Sequence, residues 1–418
     1  MKILVFAHRF DVGGSQVNTV DLSTALRDLY GHEVVIFATP GAMVEVAEKR
    51  GLRFIPAPDV STYPSLTMMR ALRQVVQREQ PDLVHVWDWW QCLDSYYSVY
   101  MTKGIPMVLS DMVSEGISRF LPKSLPTTFG TPELVDQAIA AGRRRAKLLL
   151  PPVDIHLNAP DIVDGQLFRE QFGIKNEYLT LVTVSRLTMQ LKSESLRRTI
   201  DAVGLLGNNL PVQFVIVGDG NARSELEYLA AKTNKELGRT AVILTGELLD
   251  PRPAYAAADI VVGMGGAALR GMAFGKPAIV VGEHGFSKPL TPETADWFYY
   301  YGIYGRGDGR PSNEQLASDI RAYAEHRDEL SVCGGFSRNF VVANFSVEAV
   351  CAQLEELFNT TLKDRQQTFD VVADGLRTAA IFFGGKYVPE TLRRSVKRYE
   401  NQRLAMLRGS RTRKPGST

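Results

Sequence analysis

The sequence predicts an α/β protein built as two parallel sheets with a cleft between them, and three observations lead there. Short apolar runs of four to six residues alternate with helical segments from residue 1 to about 150, which is the pattern of crossover units around a buried parallel sheet. The alternation breaks over 153–176, where polar, Pro and Gly residues mix without a period, and then restarts. Glycines 218, 246, 263 and 282 stand at or just past the carboxyl ends of strands in the second half, the edge at which open parallel sheets bind ligands.

In chain order, Ile3–Ala7 reads as a buried strand, followed by the glycine loop Asp11–Ser15 and a helix with Val17, Val20, Ala25 and Leu29 on one face. Strands follow at Val34–Ala38, Arg53–Ile55, Leu83–Trp87 and Met107–Leu109, with helices at Met43–Arg50, Leu66–Arg78, Cys92–Thr102 and Thr131–Arg145 between or after them. Lys147–Leu150 is a strand stopped by Pro151-Pro152, since proline gives a ladder no donor. A short helix near Phe168 closes the linker. In the second half, strands are expected at Leu179–Val184, Gln213–Val217, Val242–Thr245, Asp259–Gly263 and Ala278–Val281. Helices fall at Glu194–Leu206, Ala222–Leu237, Pro253–Ala258, Ala267–Phe274, Asn313–His326 and Val347–Phe358. Past Lys363 the organisation weakens: Phe382-Phe383-Gly384-Gly385 reads as an exposed kink, 389–407 as a basic helix and 411–418 as a disordered end. The domains so divided are 1–160, 176–345, helices at 346–390 packing back on the first domain, and a basic tail at 391–418.

Charge and composition narrow the function classes. The 48 Lys and Arg against 46 Asp and Glu give +2, which offers no global attraction to nucleic acid. The balance is uneven: 391–418 holds nine basic residues against Glu400, or +8, leaving 1–390 at −6. That tail could meet an anionic membrane weakly. Three cysteines far apart fit a reducing, cytoplasmic setting, and no zinc spacing, HExxH or carboxylate cage is present.

Several segments could carry chemistry. Gly13-Gly14 lets a ligand approach the backbone ahead of a helix N-terminus, without the GxGxxG fingerprint or a P-loop. Arg186 closes a strand and Lys192 follows six residues later, a pair suited to a diphosphate, though solvated loop charges are the plainer reading. Gly263, Gly265 and Gly266 precede the helix carrying Arg270, an anion contact or a carboxylate's partner; close packing is the competing use of these glycines. Glu283 and His284, with Gly285 and Phe286, could bind hydroxyls or move a proton at the next strand edge. Asp88 sits among His85, Trp87, Trp89, Trp90, Tyr96, Tyr97 and Tyr100, a wall suited to a sugar, with Trp89 and Trp90 expected to point apart and Trp87 and Tyr97 equally readable as core.

Six of these segments together resemble the retaining glycosyltransferases of family 4 with the GT-B fold: VFAHRFDVGGSQ, PDLVHVWD at 81–88, TVSRLTMQLK at 183–192, FVIVGDG at 214–220, YAAADIVVGMGGAALRGMAFGKP at 255–277, and GEHGF at 282–286. The resemblance covers roughly 1–360 and implies two Rossmann-like domains, a nucleotide-diphosphate sugar as donor, no metal or resident cofactor, and a small-molecule or glycan acceptor. It implies sugar transfer with retention through a charge-separated, front-face step. Gly13 and Gly14 would lie over the donor phosphates or near the acceptor, Arg186 and Lys192 on the diphosphate, and the Glu283–Phe286 segment around the donor sugar; Gly218, Gly246, Gly265, Gly266 and Arg270 would complete the donor side. The member is atypical. The glutamate that usually follows in the pair E-x7-E falls on Arg270, the residue eight before it is Val262, and the usual histidine beside the donor sugar falls on Ser110. Other functions consistent with the same fold are a nucleotide-sugar 2-epimerase and a binding protein that has lost turnover.

Overall fold

The computed structural model describes residues 1–112, 116–189, 192–310, 313–364 and 368–387, so the basic helix expected at 389–407 and the disordered end expected at 411–418 lie outside the described residues. The first half holds β1 (Lys2–Phe6), α1 (Gly14–Tyr30), β2 (Glu33–Ala38), α2 (Met43–Lys49), β3 (Arg53–Pro56), α3 (Leu66–Glu79), β4 (Leu83–Trp87) and α4 (Asp88–Ser95). A π-turn at Tyr96–Tyr100 leads to α5 (Met101–Lys103), then β5 (Met107–Asp111), β6 (Thr127–Phe129), α6 (Pro132–Ala140) and β7 (Ala146–Leu148). These strands form one sheet in the order β3-β2-β1-β4-β5-β6-β7, parallel throughout. Ile3 and Val5 pack on one face of β1 and Leu4 and Phe6 on the other, all buried, as a doubly covered strand requires.

The second half follows α7 (Gln166–Phe172) with β8 (Leu179–Val184), α8 (Ser193–Leu206), β9 (Val212–Val217), α9 (Arg223–Leu237), β10 (Val242–Gly246), α10 (Arg252–Ala257), β11 (Ile260–Gly263), α11 (Gly266–Ala273), β12 (Ala278–Val281) and β13 (Ser287–Pro289). The sheet order is β10-β9-β8-β11-β12-β13, with only β13 antiparallel. Then come α12 (Pro292–Tyr301), α13 (Asn313–Glu325), α14 (Leu330–Phe345), α15 (Val347–Lys363) and α16 (Thr368–Tyr387). Two Rossmann-like domains thus face each other across a cleft, the GT-B architecture.

The chain crosses between the domains twice, and the crossings are tied together. Val153 N donates to Phe345 O at 2.7 Å, and Val347 N to Val153 O at 3.0 Å. Across the cleft, Tyr300 Oη on α12 donates to Asp136 on α6 at 2.7 Å. Helix α15 returns to the first domain, where Phe358 is fully buried and packs edge-on to His85 at 5.2 Å.

Helix α16 corrects the sequence reading. It runs unbroken through Phe382-Phe383-Gly384-Gly385 instead of kinking there. Glycine costs a helix about 1 kcal/mol per residue, and tertiary contacts outweigh that. Tyr96 Oη donates to Val371 O at 2.8 Å and Tyr97 Oη to Gly375 O at 2.9 Å, both rings presented by the π-turn. A Cβ at Gly375 would lie 2.7 Å from Met101 Sδ, so glycine lets the helix approach without moving the Met101 side chain. Short β6 and β13, and helices α12 and α14, are additions the periodicity did not reveal.

Asp374 anchors α16: it accepts from Ser124 N at 2.7 Å and from Arg377 Nε at 2.9 Å. Asp374→Ala should therefore cost about 1–3 kcal/mol, by leaving a charge-assisted bond unmade. Leu376→Ala, on the exposed face of the same helix, should change stability by no more than about 0.5 kcal/mol. Urea unfolding of both variants checks the contrast.

Candidate active site in the interdomain cleft

Strand order reverses between β1 and β4 in the first sheet and between β8 and β11 in the second. At such a switch point neighbouring loops part and leave a crevice. The loop after β1 carries Gly13 and Gly14, β4 runs straight into Asp88, Arg186 follows β8, and Gly265 and Gly266 follow β11. The residues singled out in the sequence therefore converge because two topologies place them at two facing crevices.

Gly13 and Arg186 measure that convergence. A methyl group on Gly13 would lie 3.9 Å from Arg186 Nη2 of the opposite domain. Helix α1 starts at Gly14 with no side chain capping its N-terminus, so its first amides and positive dipole end remain available to an anion. Arg186 is exposed, and Lys192 is half-buried beside it. Burial and the nearby Arg186 charge push the Lys192 ammonium down to about 8, with Glu283 opposing them. Among the described residues, none takes a hydrogen bond or ion pair from the side chains of Arg186, Lys192 or Arg270.

The loop bearing Arg186 is held by backbone contact. A Cβ on Gly218 would sit 1.9 Å from Ser185 O, so the β8 and β9 loops touch main chain to main chain. Gly218 N donates to Gly246 O at 2.9 Å, and Leu187 N to Asp219 O at 2.8 Å. Gly218 and Gly246 thus position the cationic loop. Gly265 caps α11 with φ 63°, a left-handed conformation suited to glycine, and donates to Ile303 O at 2.6 Å. A Cβ on Gly266 would lie 3.1 Å from Arg270 Nη1, which brings that guanidinium back to the start of its own helix. The Arg270 charge also reaches Asp21 on α1, a buried carboxylate paired with Arg50 at 2.7 Å.

The Glu283–Phe286 loop is occupied by the chain's own groups. Glu194, in the first turn of α8, accepts from His284 N at 3.0 Å and Gly285 N at 2.8 Å. The Glu283 carboxylate accepts from Tyr304 Oη and from Arg306 Nε at 3.0 Å. Burial alone would raise the Glu283 pKa, but these two bonds and the Arg306 charge outweigh it and hold the carboxyl below its usual value. Phe286 turns inward and stacks on Trp297 at 5.3 Å. Glu194, Tyr304 and Arg306 escaped sequence reading; Glu194 lies ninety residues from the amides it binds, and no spacing rule reaches that far.

In the first domain the structure separates core from cleft. Ser110 is fully buried, bonded to His85 Nε2 and Thr128 Oγ1 at 2.8 Å each. Burial pushes His85 down to about 3, so it stays neutral. Trp87 and Tyr96 are core as well. Trp89 and Trp90 do not point apart: their rings stack at 3.8 Å, because the tight start of α4 folds them together. Asp88 adopts φ 61°, unusual for a residue with a side chain. Burial pushes its carboxyl up to about 6, against the lowering effect of the Met112 amide it accepts. Among the described residues no group of three or more His, Cys, Asp or Glu side chains could hold a metal ion, and no helix is long and apolar enough to cross a membrane.

Glu194→Ala should free two loop amides and lower stability by about 1–3 kcal/mol. Glu194→Gln keeps an acceptor and should cost less. Thermal melts of the two variants against the parent chain test that order.

Comparison with known proteins follows the two halves. Residues 12–111 match the model of Glycosyltransferase Family 4, and residues 179–297 that of Glycosyl transferases group 1. No curated protein matches the sequence. Among solved structures, a glycosyltransferase from Rickettsia africae aligns at TM-score 0.70 and 16% identity, over 87% of this chain and 99% of its own. Anabaena HepE in complex with UDP aligns at 0.67 and 17%, over 86% and 100%. Starch Synthase IV from Arabidopsis thaliana, bound to ADP and acarbose, aligns at 0.61 and 14%, over 87% and 100%. At such identities the likeness is one of fold. The chain is thus a GT-B-fold protein related to the glycosyltransferases, with a family 4 match in its first half and a group 1 match in its second.

Proposed function

We propose that this chain is a retaining glycosyltransferase of the family 4 type that moves a sugar from a nucleotide-diphosphate donor to a small-molecule or glycan acceptor. The observation that carries the reading is the pair Arg186 and Lys192, Arg186 beside the bare N-terminus of α1 and Lys192 next to Arg186, with no hydrogen-bond or ion-pair partner for either side chain among the described residues. Positive charge of this kind at the edge of two crevices suits a diphosphate: Arg186 by its planar fork, Lys192 as a point charge, and the α1 amides around Gly13 and Gly14. Arg270 and the α11 N-terminus extend the same field. HepE, similar in fold, binds UDP, UDP and glucose, or UDP-glucose.

Charge on the departing diphosphate grows as the glycosidic bond breaks, so these cations act most strongly in the transition state. They supply the positive charge that a metal would otherwise bring, and the reaction needs none. Glu283, fixed by Tyr304 and Arg306, faces the donor sugar with His284, while Asp88 accepts a hydrogen bond from the acceptor hydroxyl. Three cysteines, none of them paired, fit a reducing cytoplasm.

The first test is a thermal-shift screen in EDTA with UDP, GDP, ADP and TDP and their sugar conjugates, followed by product analysis. Transfer or slow hydrolysis of one donor supports the reading; an epimerised donor makes the chain an epimerase, and binding alone makes it a sensor. Lys192→Ala should lower turnover by about ten- to a thousandfold, the range for one preorganised electrostatic contact. Arg186→Lys should lose less than Arg186→Ala.

The pH profile gives a second test. Asp88 must be ionised, so kcat/KM should rise through about pH 6. Lys192 must be protonated, so it should fall again through about pH 8. Asp88→Asn should abolish the acid limb and Lys192→Met the alkaline one, and a bound diphosphate should move the alkaline limb of kcat upward.

A further inference from the structure

A line of aromatic rings leaves the acceptor side of the cleft and ends in an apolar groove. His8, on the loop after β1, meets Trp90 at 6.4 Å, and Trp90 stacks on Trp89 at 3.8 Å. Trp89 contacts Phe120 at 5.0 Å, Phe120 contacts Phe382 at 5.3 Å, and Phe382 contacts Phe383 at 5.4 Å. A branch runs from Trp90 to Tyr63 at 5.3 Å, whose neighbour Pro64 also lines the groove. The groove, about 290 Å³, lies between α3 and α16 and is lined by Pro64, Leu66, Met69, Tyr97, Ala379 and Phe383.

Its surroundings are apolar as well. Phe369, Val372, Leu376 and Phe383 recur along α16 at helical spacing and are all exposed, with Leu66 69% exposed on α3. Single exposed apolar residues need no account, but a contiguous stripe joined to a groove marks a binding face. A free glycan has no use for such a surface. Rings can cover the C–H faces of a sugar near Asp88, and the groove beyond them is lined by apolar side chains and Tyr97.

We propose that the acceptor is a polar headgroup carried on a lipid chain, and that the chain runs along this track into the groove between α3 and α16. The proposal rests on the transferase reading for the word acceptor. Continuity with Trp90 and His8 ties the groove to the site. Charge points to the source of the chain: the sequence past α16 places nine basic residues against one acidic between 391 and 414, complementary to an anionic lipid surface in which such an acceptor would sit.

The test uses the full chain, with dodecyl maltoside brominated in its alkyl chain as probe, kept below its micelle-forming concentration, and maltose as the chainless comparison. Bromine in the groove quenches tryptophan, so Trp89 and Trp90 report directly. Saturable quenching by the probe and none by maltose is expected. Leu66→Glu with Phe383→Glu places two charges against the chain and should weaken it about tenfold or more. Leu249→Glu, fully exposed in the other domain, should leave it unchanged, with melts confirming that each variant folds. No quenching, or quenching indifferent to the double variant, overturns the proposal. So does a dimer by light scattering that the double variant dissolves, since a second copy then owns this face. UDP thermal shift runs in the same samples. UDP binding without quenching defeats the lipid chain and leaves the transferase reading intact; groove-dependent quenching without binding of any donor defeats the transferase reading and leaves a lipid-chain site.

Discussion

Two positive charges held side by side, with no hydrogen-bond or ion-pair partner among the described residues, are the constraint from which the rest of this molecule follows. Burial disfavours a charged ammonium and the neighbouring Arg186 repels it, and the depressed Lys192 pKa records both costs, burial first. Because the folded value lies below the ordinary 10.5, the stability cost is full below about pH 8 and fades as the pH approaches 10.5. The fold must hold the pair in place against this repulsion. It does so with backbone, through Gly218 against Ser185 O and the ladder between the β8 and β9 loops, which side-chain motion does not relax. A bound diphosphate would reverse the sign of the interaction.

Self-satisfaction in the neighbouring loop completes the contrast. The acid groups of the cleft have partners: Glu194 lies on two amides, Glu283 on Tyr304 and Arg306, and Asp21 on Arg50. The cations Arg186, Lys192 and Arg270 have none among the described residues. A site arranged this way presents net attraction to anions while its carboxylates orient backbone and loop. Arg270 shifts that balance further toward positive charge.

Much of this was legible in the sequence, for a physical reason. Doubly buried strands favour apolar runs: β1, β2, β9 and β12 carry four or more consecutive apolar residues, and β4 and β8 are apolar but for His85, Thr180 and Thr183. Glycine after a strand is visible because nothing else permits contacts such as Gly218 on Ser185 O. What stayed hidden depends on long-range partners. The Glu194–amide bridge joins segments ninety residues apart. Ser110 is a site candidate only through the family resemblance, and its bonds to His85 and Thr128 join strands that no spacing rule connects. Helix α16 looked broken at its glycines because the residues that hold it, Tyr96, Tyr97 and Ser124, lie far upstream.

The return of the last helices to the first domain also sets an order of events during synthesis. All seven strands of the first sheet have been synthesised once Leu148 is made, yet their cover has not: Phe358, packed on His85, and Val371, held by Tyr96, come late in the chain. Domains ordinarily fold from the N-terminus as they emerge. Here the first domain waits, its face toward α15 and α16 uncovered while the entire second domain is translated and can close its own sheet. The domain that begins the chain is therefore the last to be finished, and the nascent protein depends on its second half to complete its first.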